Sequence, residues 1–175
     1  MSSWSAKKSD TPESAGTFQK SPAGTRRVLD LIDASNIMVA SVSTDKKGLI
    51  EALSELACLR HGLADFRKFS NKVIEREEGI STTLDTGLSL PHARIDDLDD
   101  VAAAMAVLPQ PIPDSQHPDL LIRIMFLFFS PNRPQFYGVH LEILREASSF
   151  FTAQLISDLS KAASPSQALS LMGGK

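Results

Sequence analysis

Leu120-Leu-Ile-Arg-Ile-Met-Phe-Leu-Phe-Phe129 decides how the rest of this chain must fold. A continuous apolar run of this length, broken only by Arg123, suits a strand at the centre of a sheet, covered on both faces. It is too short to span a bilayer, which takes roughly 18 or more apolar residues. Ser130-Pro-Asn-Arg-Pro134 ends it. Upstream, Val101-Ala-Ala-Ala-Met-Ala-Val-Leu108 predicts a second strand buried on both faces, followed by a Pro-rich loop from Pro109 to Pro118.

The elements around these strands follow from period and caps. Val28–Ile32 reads as a helical turn or a short strand, and β-branched Asn36–Val42 as a strand. Thr44 is placed to cap a helix with apolar positions Leu49, Leu53, Leu56 and Ala57, ending at Gly62. A second helix spans roughly 64–78, striped by Phe66, Phe69 and Val73. Downstream, Leu141, Leu144, Phe151 and Leu155 predict one long helix over 138–161, with His140 in its first turn. Ser164-Pro-Ser-Gln167 is a capping box with proline at the first helical position. The resulting order β-α-α-β-β-β-α-α implies an α/β fold, a mixed β-sheet flanked by helices. Residues 1–26, rich in Ser, Thr, Lys, Gly and Pro, read as a disordered tail, and residues 27–175 as one domain.

Composition narrows the function. A formal net charge of −3 with 22% charged residues gives no basic footprint for nucleic acid. The single Cys58 excludes an intramolecular disulfide and a four-thiolate zinc site. Without a His-x-x-x-His or Cys-x-x-Cys pair no metal is expected, and no cofactor either. The acidic loop Asp96–Asp100 lacks the ligand spacing of a calcium loop and reads as a solvated turn. There is no Gly-x-Ser-x-Gly elbow and no glycine-rich phosphate loop. His61 and His117 read as surface residues. No signal peptide or membrane span is seen, so a soluble cytoplasmic protein is the expectation.

One stretch carries chemistry: Ser81-Thr-Thr-Leu-Asp-Thr-Gly-Leu-Ser-Leu-Pro-His-Ala-Arg94. Gly87–Leu90 reads as a short strand stopped by Pro91, which offers no amide donor to a ladder. His92 is thereby presented where a strand finishes. Imidazole near neutral pH is a nucleophile as well as a base, and flanking cations can stabilise a phosphoryl group on it. From the residues alone, a structural histidine and a phosphoryl acceptor both stand.

The segment Leu90-Pro-His-Ala-Arg94, with Ser81-Thr82, Leu84 and Gly87, resembles the active-site segment of the enzyme IIA domains of the sugar phosphotransferase system. The class is the fructose/mannitol type, which includes the nitrogen-regulatory enzyme IIA proteins. Glu75-Arg76-Glu77 upstream and His140-Leu141 downstream fall in the matching order, and the resemblance spans about 28–171. It implies a mixed sheet flanked by helices. It implies that His92 takes a phosphoryl group from a histidine-phosphorylated carrier protein, that His140 helps hold that group, and that Arg76 belongs to the same pocket. Arg94, Thr86 and Gly87 are the expected phosphate-binding residues. A nitrogen-regulatory-like role, with a regulated kinase or transporter as partner, is the expectation; the alternatives are a sugar-specific component passing phosphate to a IIB domain and a non-phosphorylated regulatory binding module. Ile80, Thr83 and Asp85 stand where the family turn usually has glycines, so a reshaped turn is expected before the histidine.

Overall fold

Residues Leu121–Pro131 form β5, the strand that organises the sheet in the computed structural model, which describes residues 26–40 and 44–173. The expected tail falls almost wholly outside those residues, although Arg26 is described and pairs with Asp100. In chain order the elements are α1 (Val28–Leu31), β1 (Ile37–Val39), α2 (Lys46–His61), α3 (Phe66–Gly79), β2 (Leu88–Ser89) and β3 (His92–Ile95). There follow β4 (Ala102–Pro113), β5, α4 (Tyr137–Phe150), α5 (Ala153–Leu159) and α6 (Pro165–Leu171), with 3-10 turns at Ala34–Asn36 and Pro134–Phe136.

β4 and β5 lie antiparallel in the middle, β1 runs parallel to β4, and β2 and β3 both run parallel to β5. β2 and β3 are thus one edge strand interrupted at Leu90–Pro91. Strand side chains alternate between faces, and β4 shows it. Val101, Ala103, Met105 and Val107 join a core with α1, α4, α5 and α6. Ala102, Ala104, Ala106 and Leu108 join a second core with α2 and α3. Covering both faces is why β4 and β5 read as unbroken apolar runs.

Several boundaries differ from the sequence reading, each for a local reason. Asp45, not Thr44, caps α2, its carboxylate accepting from the Gly48 amide at 2.7 Å. Gly62 ends α2 as expected, in the left-handed conformation. The Pro-rich segment does not leave the sheet at Leu108. β4 continues to Pro113 after a register shift between Val107 and Ile112. Among the described residues its pairing with β1 reaches Val107, ahead of Pro109 and Pro111, which have no amide to give to a ladder. The long C-terminal helix is two helices. Phe151 leaves the helical region (φ −80°, ψ 72°), and Thr152 Oγ1 caps α5 by accepting from the Leu155 amide. Apolar spacing continues across the break, which hid it from periodicity.

Candidate functional site

The Leu90–Pro91 interruption presents the site. The Leu90 amide turns back to donate to Thr82 C=O, while Pro91 C=O accepts from the Phe128 amide and keeps the edge strand on β5 across the break. β3 begins at His92, in register with Phe128, and Arg94 is in register with Ser130. Alternation puts His92 and Arg94 on the same face as Phe128 and Ser130. The His92 ring stacks on Phe128, with centroids 5.4 Å apart and planes at 14°. α4 covers this face and brings His140 from its first turn, 5.1 Å from His92 between ring centroids.

Both imidazoles line one cavity of about 730 Å³, with Lys72, Arg76, Ala93, Arg94, Asn132, Tyr137, Leu141 and Leu144. Three cationic side chains from two elements therefore meet two histidines. Arg76 comes from α3, its guanidinium held by the Ile80 carbonyl at 3.1 Å. Arg94 lies over the Tyr137 ring at 4.5 Å. His92, His140, Arg76 and Arg94 are thus brought together at one cavity, the grouping that the resemblance implied. Thr86 and Gly87 are not. β2 carries the chain away from them toward His92, and Gly87 instead supports β5, its carbonyl accepting from the Arg123 and Ile124 amides. They fall outside the cavity lining.

The imidazoles differ in wiring. His92 Nδ1 lies 2.7 Å from the Leu90 carbonyl. A carbonyl only accepts, so Nδ1 carries the hydrogen and Nε2 keeps the lone pair. Burial, then the charge of Arg76, holds His92 below the usual imidazole value, against the opposing pull of the Leu90 hydrogen bond and Glu77. His140 is pushed down to about 4, first by burial and then by His92, Arg94 and Arg76. Both shifts favour the neutral ring, and a neutral imidazole nitrogen with a free lone pair is the nucleophilic form.

The turn that precedes the site is built without the expected glycines. Among the described residues Gly87 is the only one between 80 and 90 with positive φ, so Ile80, Thr83 and Asp85 occupy ordinary backbone regions. Thr83 contributes what glycine cannot. Its hydroxyl bonds Asp114 Oδ2 at 2.7 Å and Ser89 Oγ at 3.1 Å. Lys46 Nζ reaches the same carboxylate at 2.6 Å, Glu77 at 2.8 Å and Ser81 Oγ at 2.9 Å. Glu77 in turn accepts from Thr82 Oγ1 at 2.6 Å. Burial works to raise the Asp114 carboxyl, but Lys46, Thr83, Ser81 and the Gln116 amide hold it far below the usual range. This buried network ties α2, α3, the turn and the β4–β5 connection together, and it reaches Arg76 through Glu77 Oε1, 3.6 Å from the guanidinium.

Sequence reading overlooked Lys72, Tyr137, Asn132, Ser130 and the Lys46–Asp114 network. Lys72 had a signal, lying one helical turn before Arg76 on the same face. Ser130 had one too, since it continues the face set by Phe128. Lys46 had none, because its partners are far away in sequence.

The family model described as "Phosphoenolpyruvate-dependent sugar phosphotransferase system, EIIA 2" matches residues 30–173. The chain belongs to this enzyme IIA family. Among solved structures, this enzyme IIA chain is similar to nitrogen regulatory protein IIA-Ntr from Neisseria meningitidis, at 22% identity and TM-score 0.70, over 83% of this chain and 98% of that one. It is also similar to IIA mannitol from Escherichia coli, at 16% identity and TM-score 0.68, over 81% and 98%. A third is that IIA mannitol in complex with phosphorylated enzyme IIB mannitol, at 16% and 0.68, over 82% and 98%. No curated protein matches the chain. These likenesses agree with the mixed, helix-flanked sheet. Among the described residues no helix is long and apolar enough to cross a membrane.

Proposed function

We propose that this enzyme IIA chain is a phosphoryl carrier whose acceptor is His92 Nε2. The observation that carries the reading is the 2.7 Å bond from His92 Nδ1 to the Leu90 carbonyl, which leaves Nε2 as the lone-pair nitrogen of a ring lining a cationic cavity. The donor is a histidine-phosphorylated carrier protein. Its P–N bond breaks as the His92 Nε2 lone pair forms a new P–N bond, and the bonding pair returns to the donor imidazole. Catalysis of such a loose transfer is mainly positioning and charge stabilisation of the equatorial oxygens. Arg76, Arg94 and Lys72 supply the charge, and His140 a neutral hydrogen-bonding ring beside it.

Incubation with the phosphorylated carrier protein is expected to label the wild type at a histidine and to leave His92→Ala unlabelled. A wild type that stays unlabelled with a competent donor would overturn the reading. Onward transfer has two routes, to a cysteine of a IIB domain or to a regulated partner. The higher identity to the nitrogen-regulatory structure, 22% against 16% for IIA mannitol, supports the regulatory route as the first to test. Retention of label on His92 during a chase with IIB domains is the result expected for it, and rapid transfer to IIB the result for a sugar-specific carrier.

A further inference from the structure

Ser130 is buried in β5, and its one hydrogen-bond partner among the described residues is His140 Nδ1, at 2.7 Å. A hydroxyl carries a single hydrogen, and leaving that hydrogen without an acceptor in a buried site is costly. The imidazole nitrogen is the acceptor on offer. If Nδ1 instead carried the proton, the Ser130 hydroxyl would accept and its own hydrogen would be orphaned. The same logic that fixes His92 therefore fixes His140 in the opposite sense.

We propose that Ser130 is a positioning residue that locks His140 in the Nε2–H tautomer, so that the paired rings present one lone-pair nitrogen and one N–H donor to the same cavity. Three observations support it together. The rings adjoin at 5.1 Å and 64° between planes, too close to be independent. Phe128 packs on both, at 5.4 Å from His92 and 5.2 Å from His140, which restricts either ring from turning over. Ser130 itself is held by β5, in register with Arg94, so its hydroxyl is set by the sheet. Division of labour results: His92 Nε2 takes the phosphoryl group, and the His140 N–H donates to one of its oxygens. A hydrogen bond to a charged acceptor is about twice as strong as a neutral one. The second half of this inference rests on the acceptor role proposed for His92, while the tautomer itself does not.

The test separates the two. Imidazole 1H–15N correlation spectra of the unphosphorylated wild type at pH 7 are expected to show His92 protonated at Nδ1 and His140 protonated at Nε2. A His140 protonated at Nδ1 overturns the inference whether or not the protein is ever phosphorylated. Ser130→Ala is expected to give His140 a mixed tautomer. It should also slow acceptance of label from the phosphorylated carrier by roughly tenfold, the factor that one ordinary hydrogen bond carries. Ser130→Cys, a weaker donor of similar size, is expected to fall between. A folded Ser130→Ala protein with the wild-type tautomer, or with a changed tautomer and the wild-type rate, overturns the positioning role.

Discussion

Arg94 is steadied by an aromatic ring. With the Tyr137 ring 4.5 Å beneath it, the guanidinium is oriented by a group that carries no formal charge. A carboxylate in that place would cancel part of its attraction for a dianionic phosphoryl group, and the aromatic face does not. Such a contact at a partly exposed site is worth about 0.5–1 kcal/mol. Tyr137→Ala is therefore expected to slow phosphoryl acceptance about threefold, with Tyr137→Phe at the wild-type rate. Equal rates for Ala and Phe would show that the stack does not matter. His140 makes a different prediction, in stability. Its folded value is depressed to about 4 from 6.5, so between these values the unfolded chain binds more protons than the folded one. Stability is thus undiminished above about pH 6.5, falls as pH drops toward 4, and stops falling from this cause below that. The shift corresponds to on the order of 3 kcal/mol. Urea unfolding of the wild type at pH 7 and pH 4.5 should show the loss, and His140→Gln should reduce it. The same slope in the variant would assign the loss to other groups.

At the scale of elements, the buried Lys46–Glu77–Asp114 network replaces glycine flexibility as the way the turn before His92 is shaped. Removing one member of a buried ionic group leaves its partners uncompensated, a change of about 3–5 kcal/mol. Lys46→Met is expected to destabilise the protein by that amount in chemical denaturation. It should also speed amide exchange at Leu84, Gly87 and Leu90, whose hydrogen bonds close the turn. Normal stability in that variant would mean the network is dispensable. The sequence made the central strands and helices α2 and α3 legible, because period and caps are local signals, while the grouping of His92, His140, Arg76 and Arg94 came from the resemblance and these residues line one cavity. It did not reveal the network, which joins residues from α2, α3 and the β4–β5 connection, nor the split between α4 and α5. There, the Thr152 cap sits inside a spacing that looks helical throughout. Thr86 and Gly87 lie outside the cavity lining for a related reason. Nearness in sequence to His92 says nothing about which end of β2 they occupy.

Across the whole molecule, the sheet is shared between two cores, so alanine in β4 is a spacing device as much as a core residue. Ala102, Ala104 and Ala106 face α2 and α3, where larger residues would push the helices outward. Ala104 is fully buried, and Ala104→Leu is expected to cost about 1–3 kcal/mol by overpacking. A lowered Tm with a wild-type circular dichroism spectrum would be the signature, and an unchanged or raised Tm would show room that the packing does not suggest. The interrupted edge strand has a consequence for behaviour in crowded solution. β1 is 3 residues long, and the opposite edge is broken at Pro91. Among the described residues the long apolar strands β4 and β5 therefore lie mostly inside, between short or broken edges that give a second chain little sheet to extend. The proline that sets off His92 also keeps this edge broken, and replacing it is expected to lower solubility along with any change at the site.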